Sequence, residues 1–243
     1  MNLFHTNTVY LIKTGSRAAG MDVADSDVDL RSVYCPRLED MINGFASDKI
    51  IERKTEQYDI CEYPINHFLR LCYDGNPNIL EWLFVPTDCI DHIDDRFKSI
   101  YSHRQMYLTK KLYHKFKGYM TGQLQKLNKD ATPHLGAKRK ADYEKYGYPT
   151  KNAAHLIRLG RMGCEVLEQG KMLVRRPDAG ELLDIRNGVW TKEWVLAAGN
   201  ALLERMDIAF KTSALPADLS IETVKKALMD IYLPLPYRGN YPI

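Results

Sequence analysis

An apolar run ends in a Gly-Ser turn, and ten residues beyond that turn stand two aspartates separated by a single position. The run Asn7-Thr8-Val9-Tyr10-Leu11-Ile12-Lys13 is rich in β-branched and aromatic residues and stops at Gly15, which predicts a buried strand. Ser16 to Met21 then forms a short helix whose first turn carries Gly15 and Ser16, offering backbone N–H groups to a phosphate. Val28 to Cys35, ending at Pro36, predicts a second strand. Residues i and i+2 of a strand share a face, so Asp27 and Asp29 aim at one spot. Two hard oxygen ligands beside a phosphate cradle are what Mg²⁺-dependent phosphoryl chemistry requires.

The rest of the chain narrows the class. It has 243 residues, enough for one large domain or two modest ones. No apolar run approaches the roughly 18 residues that span a bilayer, and the N-terminus lacks the basic start and long apolar core of a secretory signal. The five cysteines, at 35, 61, 72, 89 and 164, form no CxxC pair, so reduced thiols in a cytoplasmic protein are expected and a zinc site is not. The net charge of +3 conceals a division: residues 1–100 carry −7, residues 101–160 carry +10, and the remainder is balanced. An acidic block with candidate metal ligands beside a basic block suits a polyanionic substrate, and equally a solvated basic helix face.

Lys49 to Arg53 and Tyr58 to Tyr63 predict two further strands. From Ile65 the spacing is helical, with Ile65, Phe68, Leu69 and Cys72 on one stripe. Asp74-Gly75-Asn76-Pro77 ends that helix, and Asn78 is expected to cap the next, Ile79 to Phe84. Gln105 to Leu127 is a long amphipathic segment, Asn128 to Thr150 an irregular basic loop, and Asn152 to Gln169 a helix closed by Gly170. Glu193 to Phe210 and Ile221 to Ile231 supply two more helices.

Two ions need at least two bridging carboxylates and a third acid nearby. The strand Tyr58-Asp59-Ile60-Cys61-Glu62-Tyr63 offers Asp59 or Glu62 on opposite faces, and periodicity leaves both open. Arg17 is placed to reach phosphate by a bidentate contact. Arg31 shares the face of Asp27 and Asp29, either to bind phosphate or to neutralise the carboxylates. Lys151, His155 and Arg158 recur at i, i+4 and i+7 on one helix face.

Gly15-Ser16-Arg17-Ala18-Ala19-Gly20 with Ser26-Asp27-Val28-Asp29-Leu30-Arg31 resembles the signature of the DNA polymerase β-like nucleotidyltransferase superfamily. Within it the wording is similar to a branch of bacterial and phage nucleotidyltransferases, some associated with RNA ligases. The segments Gly75-Asn76-Pro77-Asn78-Ile79-Leu80-Glu81-Trp82-Leu83, Lys151 to Arg158, Arg175-Arg176-Pro177-Asp178 and Leu182 to Gly188 extend the likeness to residue 188. The resemblance implies that Gly15 and Ser16 hold a triphosphate and that Asp27 and Asp29 bind metal. It favours Asp59 as the third ligand, and it turns Lys151, His155 and Arg158 towards the nucleotide.

The resulting expectation is an α/β (α+β) fold. A small mixed-sheet nucleotidyltransferase domain (1–100) is followed by a mostly helical domain (101–243) contributing to nucleotide and acceptor binding. The activity expected is Mg²⁺- or Mn²⁺-dependent transfer of NMP from an NTP to an acceptor hydroxyl, with an RNA 3′ end as the acceptor and no membrane partner. A protein or small-molecule hydroxyl is the second reading, and a non-catalytic nucleotide- or RNA-binding module the third.

Overall fold

β1 (Thr8–Lys13) begins the sheet, with Val9, Tyr10 and Ile12 fully buried. The computed structural model of the chain describes residues 4–23, 26–42, 49–128 and 137–233. A single turn and a half of helix, α1 (Gly15–Ala19), leads to β2 (Val28–Tyr34) and the short α2 (Leu38–Ile42). β3 (Ile51–Lys54) and β4 (Tyr58–Pro64) form a hairpin, and α3 (Ile65–Tyr73) follows directly from β4. α4 (Pro77–Leu80) continues into a 3-10 turn through Phe84; β5 (Ile90–Ile93) and α5 (Asp95–Ser102) complete this stretch.

The strands make one five-stranded mixed sheet in the order β3-β4-β2-β1-β5. β2 and β4 are parallel and the other pairs antiparallel. Tyr10 pairs with Val33 across β1 and β2, so both point to one face of the sheet. There Tyr10 stacks on Phe97 at 4.6 Å, and Phe68 bridges Phe97 and Trp82 at 5.9 and 5.8 Å. The Tyr10 hydroxyl donates to the Trp82 carbonyl at 2.8 Å, so its burial leaves no polar atom stranded. Each such large side chain contributes roughly 1.5–3 kcal/mol on burial.

The helices of the second compact unit are α6 (Lys111–Asn128), α7 (Ala137–Tyr146), α8 (Thr150–Gln169), α9 (Ala179–Arg186) and α10 (Lys192–Thr212). α8 is its centre and packs against α6, α9 and α10. Close approach is possible because α8 and α10 present glycines where the helices meet. A Cβ on Gly163 would lie 2.4 Å from Met206 Cε, and one on Gly199 would lie 2.8 Å from Leu156 Cδ2. Gly170 ends α8 in the left-handed conformation, as its position after Gln169 predicts.

The last described helix is α11 (Ile221–Tyr232), which packs on α3 and α5. The chain therefore divides into Met1–Thr109 with Asp218–Ile243, and Lys110–Ala217. The change to helical spacing places the boundary near residue 100, with 101–243 a mostly helical domain. The structure moves the boundary to Thr109 and returns α11 to the sheet-bearing unit, where Val224 and Ile231 are buried.

Other local differences have simple causes. The long amphipathic helix starts at Lys111 rather than Gln105, because residues Arg104–Tyr107 make a separate 3-10 turn. Part of the segment expected to be irregular is helical, as α7, while 129–136 lies outside the described residues. Asn76, not Asn78, caps α4: its side chain accepts from the Asn78 N–H at 3.1 Å, with Pro77 at the first helical position. All five cysteines are free, four buried and Cys61 half-buried. Among the described residues no helix is long and apolar enough to cross a membrane.

Candidate active site

The parallel pairing of β2 and β4 runs in the register Val28 to Tyr58, Asp29 to Asp59, Leu30 to Ile60 and Arg31 to Cys61. Asp29 and Asp59, thirty residues apart in sequence, are thus direct neighbours on one face of the sheet. Arg31 lies two positions along β2 on the same face and joins them. Its Nη2 donates to Asp29 Oδ1 at 3.2 Å and its Nη1 to Asp59 Oδ1 at 3.0 Å. Nη1 also donates to the carbonyls of Leu30 and Asp59, at 2.9 and 2.7 Å, which pins the guanidinium to the strands. Of the two roles open to Arg31, neutralising the carboxylates is the one the contacts support.

Glu62 goes the other way. It is fully buried on the opposite face, where it accepts from Ser32 Oγ at 2.9 Å, from the His5 N–H at 3.0 Å and from Arg53 Nη1. The alternation of β4 therefore gives Asp59 to the Asp29 side and Glu62 to a structural ion pair.

The Gly-Ser turn closes against the same spot. Thr14 N–H donates to the Asp29 carbonyl at 2.8 Å, fastening the end of β1 to the start of β2. Gly15 opens α1 at φ +64°, and a Cβ built on it would lie 1.9 Å from Asp29 Oδ2. Only hydrogen fits between this turn and the carboxylate. Ser16 and Arg17 are half-buried on α1, and Arg17 Nε is buried with no hydrogen-bond partner among the described residues.

Asp27 sits one residue before β2, exposed, after a turn in which Ser26 N–H donates to the Val23 carbonyl at 2.8 Å. Among the described residues no three His, Cys, Asp or Glu side chains converge as a metal cluster. The structure thus assembles Asp29 with Asp59 around a single cationic group and leaves Asp27 outside the pair. Two carboxylate oxygens held about one positive centre are a donor set that suits a hard divalent ion.

Lys151, His155 and Arg158 lie along α8 in the helical unit. Lys151 is exposed and His155 half-buried, and Asn152 Nδ2 donates to Gln123 Oε1 at 2.7 Å, tying α8 to α6 beside them. Burial, followed by the charges of Arg158, Lys126 and Lys151, pushes the His155 imidazole down to about 4. His155 is therefore neutral at pH 7, with cations from two helices gathered around it. An unfolded chain takes up this proton near pH 6.5 and the folded one only near 4, so stability falls as pH drops between those values, by up to about 3 kcal/mol. His155→Gln should flatten that fall: the loss in melting temperature from pH 7 to 5 should be smaller than in wild type. An equal loss would show that other groups carry it.

The Arg175-Arg176-Pro177-Asp178 segment is architectural. Arg176 is 4% exposed and forks onto Glu165 Oε2 and Oε1, at 2.6 and 2.8 Å, while its Nε donates to Asp178 Oδ1 at 2.8 Å. Arg161 joins Asp178 to Glu181 from the other side. Burial works against the Asp178 carboxylate, but Arg176 and Arg161 outweigh it and hold the group below its usual range. Likewise, Gly188 is a wedge for packing: a Cβ there would lie 2.1 Å from the Tyr146 ring.

What sequence reasoning missed is cross-strand. Lys54 stands directly opposite Asp59 on β3, and Glu52 opposite Cys61. Neither relation has a signal in a single strand, because it depends on which strands pair and in which register.

Among curated proteins, the chain is similar to an uncharacterized protein of Bacillus subtilis (strain 168), YcgL, with 37% identity over 76 residues. That match takes in 31% of this chain and 29% of the length of that protein. The family model described as RlaP, RNA repair pathway DNA polymerase beta family, matches residues 2–204, and the chain belongs to that polymerase-β-like nucleotidyltransferase family.

Proposed function

We propose that the protein transfers a nucleoside monophosphate from an NTP to the 3′ hydroxyl of an RNA. The observation that carries this reading is the pairing of Asp29 with Asp59 directly against the Gly15 turn. The acceptor hydroxyl oxygen attacks the α-phosphorus as its proton passes to the Asp59 carboxylate, a new P–O bond forms, and the bond to the β-phosphate oxygen breaks to release pyrophosphate. Mg²⁺ or Mn²⁺, when bound, supplies positive charge to the phosphoryl oxygens and to the attacking hydroxyl.

Gly15 and Ser16 receive the triphosphate at backbone N–H groups, and Arg17 reaches its outer oxygens. Asp27 and Asp29 hold the metal, Asp27 from the residue before β2, with Asp59 as the third ligand. Asp59 lies on the acceptor side and orients the attacking hydroxyl. Arg31 keeps the two strand carboxylates together through its contacts with both. In the helical unit, Lys151 and Arg158 contribute charge to nucleotide or acceptor binding, and His155, neutral at pH 7, contributes a hydrogen-bonding group.

The test is label transfer from α-labelled NTP to RNA with Mg²⁺. Asp29→Asn and Asp59→Asn should each lose transfer by about a hundredfold or more, as charge-stabilising groups do, with melting temperatures near wild type. Glu62→Gln should do the reverse, keeping transfer per folded molecule while unfolding at a lower temperature. Label appearing on protein or a small molecule would move the acceptor to the second reading. Binding of Mg²⁺-NTP without pyrophosphate release would leave only the binding module.

A further inference from the structure

The sheet order assigns sides to the site. The β1–α1 turn that receives triphosphate lies on one flank of Asp29, while β4 and β3 lie on the other, in the order β3-β4-β2-β1. Attack on a phosphoryl group runs in line with the leaving group, so an acceptor comes in over β4 and β3. That face, beyond Asp59, carries Cys61 and then Tyr63 by the period of two.

Tyr63 is half-buried. Its ring meets Trp82 edge-on at 5.2 Å and His67 edge-on at 5.4 Å. Trp82 is 5% exposed and forms the floor behind it. The Tyr63 hydroxyl bonds the Cys61 side chain and lies within the field of Arg31, the residue that joins Asp29 to Asp59. Tyr63 lies four residues beyond Asp59 on the same face of β4, roughly 13 Å along the strand, at the edge of the aromatic core and partly accessible. Its neighbours on the face supply polar contacts: exposed Lys54 is level with Asp59, and Glu52 is level with Cys61. The cation suits a backbone phosphate and the carboxylate suits a ribose hydroxyl.

Building on the RNA-acceptor reading, we propose that Tyr63, backed by His67 and Trp82, is the platform on which the terminal base of the acceptor RNA stacks, with Lys54 against its phosphate. Stacking on an aromatic side chain tolerates any base, so the platform fixes the position of the 3′ end rather than its sequence.

The experiment uses the full chain and an oligoribonucleotide ending in 2-aminopurine, whose fluorescence falls when it stacks. Wild type should quench it, and Tyr63→Phe should keep the quench. Tyr63→Leu and His67→Leu should weaken quenching and raise the KM for the oligonucleotide about tenfold. The Kd for Mg²⁺-NTP and the melting temperature should stay near wild type, with the two leucine variants guarding against one that fails to fold. Unchanged quench and KM in a folded Tyr63→Leu, with RNA extended normally, overturns the platform and leaves the proposed reaction standing. Loss of NTP affinity instead of acceptor affinity overturns it as well, by moving the ring to the nucleotide. Tyr63-dependent quenching without extension supports the platform and sinks the transfer reaction. Absence of both binding and extension in wild type sinks both.

Discussion

Gly15→Ala should retain less than about 1% of wild-type transfer, a larger loss than any neighbouring alanine substitution in α1 produces. Two effects combine. The residue adopts φ +64°, which costs a residue bearing a Cβ about 1–2 kcal/mol. The new methyl group would also sit 1.9 Å from Asp29 Oδ2, well inside contact distance. Either the turn or the carboxylate must move. A shift of Asp29 pulls it from Arg31 and from register with Asp59, and displacing a reacting group by about 1 Å costs about a hundredfold. The rate with labelled NTP and the melting temperature separate the two contributions. The backbone strain alone lowers melting by about 4 °C, whereas the loss of rate comes from the carboxylate. Transfer above half of wild type would mean that Gly15 does not press on the working group.

Arg176→Met should produce the largest loss of stability among single substitutions in the helical unit, about 3–5 kcal/mol. The side chain is almost wholly enclosed and satisfies Glu165 and Asp178 together. Methionine fills much of the volume but leaves the half-buried Glu165 without its counter-charge, and that unpaired charge is the expensive part. Urea unfolding should show a lower midpoint. Adding Glu165→Leu should recover part of the loss, because the stranded charge goes with it. A single variant with a wild-type midpoint would mean that water already solvates the pair. Transfer measured well below the midpoint should be affected far less than stability, since the ion pairs of Arg176 lie within the helical unit.

The elements around Asp29 were the most legible. The β-branched run to Lys13, the Gly-Ser turn and the alternation through Asp29 and Arg31 are local patterns, and local patterns survive in one dimension. The family likeness drawn from those same residues agrees with the family model over residues 2–204. The choice between Asp59 and Glu62 was not legible from periodicity. Alternation says that they oppose each other but not which of them shares the face of Asp29; the register Asp29 to Asp59 puts Asp59 there. β5 escaped notice because Ile90-Asp91-His92-Ile93 is four residues with a polar middle, made a strand by pairing with β1. Arg176 escaped as well. The sequence shows Arg175-Arg176-Pro177-Asp178 only as a family-like segment, and the tertiary fold brings Glu165 of α8 to Arg176.

The return of α11 to the sheet-bearing unit has a consequence for how the protein is made. The residues that bear Gly15, Asp29 and Asp59 leave the ribosome early, yet α3 and α5 wait for a helix that ends at Tyr232. Chains emerge at about 5–20 residues per second, so the sheet spends several seconds with that apolar surface uncovered while 110–217 is synthesised. The helical unit is one contiguous stretch, 110–217, and is synthesised whole before α11. A nascent chain stalled just short of residue 221 should therefore carry a protease-resistant helical unit and a protease-sensitive sheet. Folding order then runs against sequence order, and the carboxylate pair is consolidated last.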